Sequence, residues 1–144
     1  MRRGERPFGL PSMMRPVQPS PVSRIDHVAI RVRSLDEARA AFVDGLGFEE
    51  TSAEATPDGT RVAYLRLHDW EFEVFEDPEG DPGLDHIALG IDDVGAAAGA
   101  LDARGVRFAG DELSGTRQSR ALVVDTATTA GIRMHLCARP TASK

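Results

Sequence analysis

Cysteine is almost missing from this sequence: Cys137 stands alone, so no intrachain disulfide can form. That excludes a small disulfide-stapled scaffold and makes the cytoplasm the default compartment. Basic residues are in deficit. Seventeen Lys and Arg against 23 Asp and Glu leave a net charge of −6, which argues against nucleic acid as a partner. Long apolar runs are absent as well. None approaches the roughly 20 residues that a membrane helix needs, so no membrane partner is expected. The first 23 residues lack the apolar core of a signal peptide. They carry Arg2, Arg3, Arg6 and Arg15 among five prolines without periodicity, which predicts a disordered tail over 1–23. Met13 and Met14 leave open a later translation start. Residues 24–140 form one domain with enough chain for a real core, and 141–144 form a short second tail.

One pattern occurs twice. Ile25-Asp26-His27-Val28-Ala29-Ile30 is matched by Leu84-Asp85-His86-Ile87-Ala88-Leu89, and at the same offset Leu35 matches Val94, Ala38 matches Ala97 and Phe42 matches Leu101. The repeat is too long for a solenoid unit and has two copies, which predicts two half-domains, 24–78 and 83–138.

Within the first half, alternation over 24–33 predicts a strand with Val28, Ile30 and Val32 on one face and His27, Ala29 and Arg31 on the other. Ser34 and Glu37 form a capping box before a helix carrying Leu35, Ala38, Phe42 and Leu46, which Gly45 and Gly47 end. Strands follow over 48–55, 60–67 and 71–76, the last two joined by a hairpin at His68-Asp69-Trp70. The second half repeats the order, with strands over 84–91, 106–109, 120–125 and 132–138 and a helix begun at Asp92 or Asp93. The fold class is therefore α+β, with two tandem βαβββ modules.

Placing side chains on strand faces brings His27, Glu73, His86 and His135 to one side, opposite the apolar residues that cover the helices. Imidazole and carboxylate together suit zinc, iron, cobalt, nickel or manganese, so one divalent ion is the expected cofactor. His68 falls in a turn, and Cys137 reads as a small core residue.

These residues resemble the vicinal oxygen chelate superfamily, which includes glyoxalase I, extradiol dioxygenases, fosfomycin resistance proteins and methylmalonyl-CoA epimerase. The resemblance runs from about Ile25 to Ala138. Leu46-Gly47-Phe48, Gly83-Leu84-Asp85-His86 and Gly131-Ile132-Arg133-Met134-His135 are most similar to the epimerase branch. It implies a cupped mixed sheet around a metal held from the first and fourth strands of each module: His27, Glu73, His86 and His135. The last ligand is commonly glutamate in these families, and this chain has His135. Three histidines and one carboxylate favour zinc or iron over magnesium. His135 is also a candidate base, and Asp58 is the counterpart of the epimerase's loop carboxylate. The space between the modules, Glu79-Gly80-Asp81-Pro82, is shorter than in epimerases.

The resemblance further implies a small oxygenated substrate, carbonyl, carboxylate or thioester, processed through a metal-stabilised enolate. Arg31, Arg133, Arg66 and Tyr64 are the candidate substrate-binding residues. Three classes stay open: an epimerase, isomerase or lyase; a non-haem iron dioxygenase; and a non-catalytic binding or resistance protein. A homodimer is a further open possibility.

Overall fold

The structure, a computed structural model, describes residues 19–114 and 116–140. The expected order of elements is present in both halves. In the first, β1 (Arg24–Val32) leads into α1 (Leu35–Arg39), then β2 (Glu49–Ala55), β3 (Arg61–Leu67) and β4 (Trp70–Glu76). In the second, β5 (Gly83–Gly90) leads into α2 (Val94–Asp102), then β6 (Phe108–Ser114), β7 (Arg120–Val124) and β8 (Met134–Ala138).

Local chemistry sets the helix ends. Ser34 Oγ accepts from Glu37 N at 3.1 Å, as a capping residue should. The reciprocal half of the expected capping box is not made. Instead the Glu76 carboxylate at the end of β4 accepts from Leu35 N at 2.8 Å, so a tertiary contact satisfies the first turn. Asp93 caps α2 by accepting from Ala96 N at 2.8 Å. After Arg39 the first helix widens into a π turn over Ala40–Gly45, and Gly47, at φ +84°, ends it.

β6 runs five residues further than the short strand expected at 106–109. Its continuation, Gly110-Asp111-Glu112, is polar, and the pairing with β7 is irregular between Ala109 and Leu113. No alternation survives there to be read.

The eight strands form one mixed sheet in the order β2-β3-β4-β1-β5-β8-β7-β6. The halves join at its centre, where β1 and β5 run antiparallel, and each of these flanks its own module's last strand in parallel. Both helices pack on one face. Leu35, Ala38, Ala63, Leu65 and Val74 form the core of the first module; Ile91, Val94, Ala97, Leu101, Val124 and Leu136 form that of the second. Burying each large side chain contributes about 1.5–3 kcal/mol, and the two clusters free the opposite face of the sheet for polar residues.

The expected tail boundary at residue 23 shifts. Val22 packs on the second core, and Ser23 N donates to Gly90 O at 2.9 Å. Residues 1–18 and 141–144 lie outside the described residues.

Candidate metal centre

The centre of the sheet is irregular in two places, and both matter. Opposite β5, Ile25 pairs with Leu89 and His27 with Ala88, which leaves Asp26 with no partner. Opposite β1, His86 pairs with Ala29 and Leu84 with Ile30, which leaves Asp85 with none. Each Asp is thus the extra residue of a β-bulge, and the two bulges are copies of each other. In a regular strand, Asp and His at neighbouring positions would point to opposite faces. The bulge turns both to the helix-free face. Asp26 Oδ2 then lies 2.7 Å from His27 Nδ1, and Asp85 Oδ2 lies 2.7 Å from His86 Nδ1. A carboxylate at Nδ1 holds the proton there and leaves Nε2 as the free lone pair, the tautomer that a metal ligand needs.

Strand register carries the rest. Two rows cross the helix-free face: Tyr64, Glu73, Ala29 and His86 in one, and His27, Ala88, His135 and Val123 in the other. His135 therefore occupies in the second module the register position that Glu73 occupies in the first. Ala29 and Ala88, essentially without exposed surface, form a floor low enough for the larger side chains on either side to lean together.

The result is a 2-His-1-carboxylate cluster. Donor atoms of His27, Glu73 and His86 all lie within 4.8 Å of one another. His27 Nε2 is 2.9 Å from Glu73 Oε1, a separation that requires a proton or a cation between them. Burial disfavours charge on His27, yet Asp26 and Glu73 outweigh it and raise its pKa above the usual value. Burial raises and His27 lowers the Glu73 carboxyl, with a net shift downward. His86 moves down, chiefly by burial.

His135 stands slightly apart. Its ring stacks on His86 with centroids 3.7 Å apart, and its Nε2 is buried with no hydrogen-bond partner among the described residues. Burial first, then His86 and Arg133, push its pKa down to about 4. It is neutral at pH 7, with a lone pair unused. This orphaned nitrogen and the convergence of the His27, Glu73 and His86 donor atoms fit the binding of a cation. The four residues share a cavity of about 240 Å³ whose other walls include Ala121, Leu113 and Cys137.

Residues 26–122 match the profile of the glyoxalase/bleomycin resistance protein/dioxygenase superfamily. The chain belongs to this superfamily. It is 30% identical over 102 residues to an ethylmalonyl-CoA/methylmalonyl-CoA epimerase from Cereibacter sphaeroides, an alignment covering 62% of this chain and 76% of that protein. Its fold matches the methylmalonyl-CoA epimerase from Mycobacterium tuberculosis, with a TM-score of 0.77 at 24% identity over 86% of this chain and 93% of that one. A substituted form of the Streptomyces coelicolor methylmalonyl-CoA epimerase in complex with 2-nitronate-propionyl-CoA matches with a TM-score of 0.75 at 26% identity, over 83% and 99%.

Tyr64 borders the centre, its hydroxyl beside Glu73 and its ring 6.3 Å from that of His27, while the other residues expected at this superfamily site lie elsewhere. Asp58 is fully exposed in the β2–β3 turn, where it binds Thr56 and accepts from Thr60 N at 3.1 Å; it does not line the cavity. Arg66 is exposed and pairs with Glu49 at 2.9 Å. Tyr64 is fully buried, its hydroxyl bonded to Thr116 and its ring covered by the Arg117 guanidinium 3.6 Å from the centroid. Arg31 and Arg133 both turn to Asp85. These four were assigned from strand parity alone, and parity fixes a face without fixing a distance along the strand.

Sequence reasoning missed Asp26, Asp85, Glu71, Arg117 and Arg139. The two Asp were visible in the repeat as invariant partners of the histidines. Arg139 pairs with Asp26 at 3.0 Å, and Arg117 pairs with Glu71 at 2.9 Å, both through long-range packing. Cys137 lies near Asp26 and His27, but burial pushes its thiol up to about 11, and Asp26 is already engaged by arginines.

Proposed function

We propose that the chain is a metal-dependent epimerase that moves the proton α to the carbonyl of a small acyl thioester, of the methylmalonyl-CoA class. The observation carrying this reading is the convergence of His27, Glu73 and His86 beside the unpartnered His135 nitrogen, in a cavity walled partly by Ala88, Ala121 and Leu113. The named relatives support the substrate class.

His27, Glu73 and His86 would hold the ion, with His135 as fourth ligand or as proton carrier. A divalent ion in such a centre supplies Lewis acidity toward a carbonyl oxygen, which acidifies the neighbouring C–H. The chain's own residues do the rest. Asp26 and Asp85 keep both Nδ1 atoms protonated, so neither ring turns over. The apolar wall admits the acyl group and excludes water, strengthening charge interactions inside. His135, neutral at pH 7, accepts the α-proton at Nε2; the C–H electron pair moves onto the carbonyl oxygen; a solvent-derived proton delivered to the opposite face at the cavity mouth inverts the centre, and His135 then releases its own proton to solvent.

The test is deuterium incorporation at the α-carbon of methylmalonyl-CoA in D2O, followed by NMR with zinc-, cobalt- or manganese-loaded protein. Exchange well above the metal-free rate supports the reading. No exchange with any of them, in protein shown to contain the ion, refutes it. A second reading has its own observation: two histidines and one carboxylate also form the facial set of non-haem iron oxygenases. Iron-dependent oxygen consumption with a catechol would favour it.

A further inference from the structure

Each Asp–His pair is held chiefly by an arginine that reaches across from the other module; Arg24 of β1 itself stands 3.5 Å from Asp26, and Arg117 stands 3.8 Å from it. Asp26 belongs to β1 in the first half. Its carboxylate has no exposed surface and receives Arg139, the residue after β8, at two points: Nε to Oδ1 at 3.0 Å and Nη2 to Oδ2 at 3.1 Å. Asp85 belongs to β5 in the second half. Its carboxylate, 9% exposed, receives Arg31 of β1 through Nη2, with Arg133 at 3.7 Å behind it. Neither arginine is floating. Arg139 is anchored at its far side by Glu71, and Arg31 packs over the Phe75 ring at 5.6 Å and reaches Asp81 O at 3.4 Å.

The chain of contacts in each case is arginine, aspartate, imidazole Nδ1, then Nε2 facing the cavity. An aspartate that rotates away from Nδ1 releases the proton to either nitrogen, and a ring protonated at Nε2 cannot bind a cation there. A bidentate guanidinium fixes the plane of the carboxylate as well as its place, which a single ammonium does not. We infer that Arg139 and Arg31 are positioning residues for the metal centre, each supplied by one module to lock the ligand tautomer of the other. The site is then competent only when both halves are docked, although every arginine lies outside the ligand set. The inference rests on the reading of this centre as a metal site.

The experiment compares Arg139→Met, Arg139→Lys and Arg31→Met in the full chain. Two quantities are read: zinc affinity by competition with a chromophoric chelator, and the histidine ring nitrogen shifts by 15N NMR on metal-free protein brought to a pH at which His27 has lost its extra proton. Arg139→Met is expected to weaken zinc by about 10- to 100-fold, the usual range for losing an outer-shell partner. It should turn His27 from one tautomer into a mixture while leaving His86 unchanged. Arg31→Met is expected to do the reverse, loosening His86 alone, with about a ten-fold loss because Arg133 remains. Arg139→Lys should recover only part of the affinity.

Equal loosening of both rings in either Met variant would mean general destabilisation and would overturn the inference. So would unchanged tautomers, or a lysine variant indistinguishable from wild type, since charge alone would then suffice. Should Arg139→Met fail to fold, Arg31→Met and the lysine variant carry the test. If wild type binds no metal at all, the metal reading fails, and the reciprocal tautomer shifts in metal-free protein still decide whether the arginines position the rings.

Discussion

Replacing Asp26 by Asn removes one oxygen's charge and nothing of its size. The effect follows from competition for the remaining oxygen. Arg139 donates to both carboxylate oxygens, and His27 Nδ1 needs one of them at 2.7 Å. Asn has a single acceptor. The fixed guanidinium takes it, which turns the amide NH2 toward Nδ1 and forces the imidazole proton onto Nε2. The metal-facing nitrogen is then blocked. Zinc affinity is expected to fall by about 10- to 100-fold, or about 1.4–2.7 kcal/mol. Stability changes too. Losing a partner from a fully buried pair costs about 3–5 kcal/mol; Arg139 is one-third exposed and keeps Glu71, so a smaller loss of about 1–3 kcal/mol is expected here.

The pH dependence has a definite sign. Burial raises the Asp26 pKa, but hydrogen bonds from His27 and Arg139 more than offset this and hold it well below the carboxylate range. Such a group stabilises the fold above its unfolded value of about 3.9, and the contribution fades as pH falls through the lower folded value. The gap in melting temperature between wild type and Asp26→Asn should therefore be full at pH 6 and shrink below about pH 4. Chelator competition and thermal melts from pH 6 to 3 measure both effects. Wild-type zinc affinity in the variant would refute the tautomer mechanism, and a gap that stays constant to pH 3 would refute the assigned charge state.

Three other outcomes are expected. His27 is the residue with a raised pKa, while His86 and His135 are lowered, so proton release on zinc binding should come chiefly from His27; calorimetry in buffers of different ionisation enthalpy measures it, and undiminished release in His27→Ala would contradict this. Ala88→Leu fills the floor between His27 and His135 and should cost about 1–3 kcal/mol of stability with loss of zinc binding, checked by melting and metal content. His135→Glu should retain zinc and shift preference toward harder cations if His135 is a ligand, with the lower pH limit still set by His27; if it only carries the proton, affinity stays and the pH–rate profile changes, and His135→Ala matching wild type in both would reduce the site to His27, Glu73 and His86.

The fold was readable because duplication doubled every signal. Two Asp-His-x-Ala strands, two capped helices and the apolar sets at Leu35, Ala38, Val94, Ala97 and Leu101 all fell where expected. That His27, Glu73, His86 and His135 line one cavity followed from strand parity, which needs no knowledge of partners. The bulges did not follow, because parity assigns neighbouring Asp and His to opposite faces and the extra residue exists only once β1 meets β5. Tyr64 and Arg66 share a face with Glu73, but one is roofed by Arg117 and the other lies at the sheet's outer end. Asp58 was placed by likeness to a loop carboxylate, and its turn satisfies it locally through Thr56 and Thr60.

The most direct measurement is the metal content of the chain expressed and purified without chelator, then gel-filtered. About one equivalent of zinc, iron, cobalt, nickel or manganese per chain, lost in a His27→Ala, His86→Ala double variant that keeps its circular dichroism, is the predicted result. A wild-type chain that carries no transition metal and takes up none from excess zinc would contradict the account.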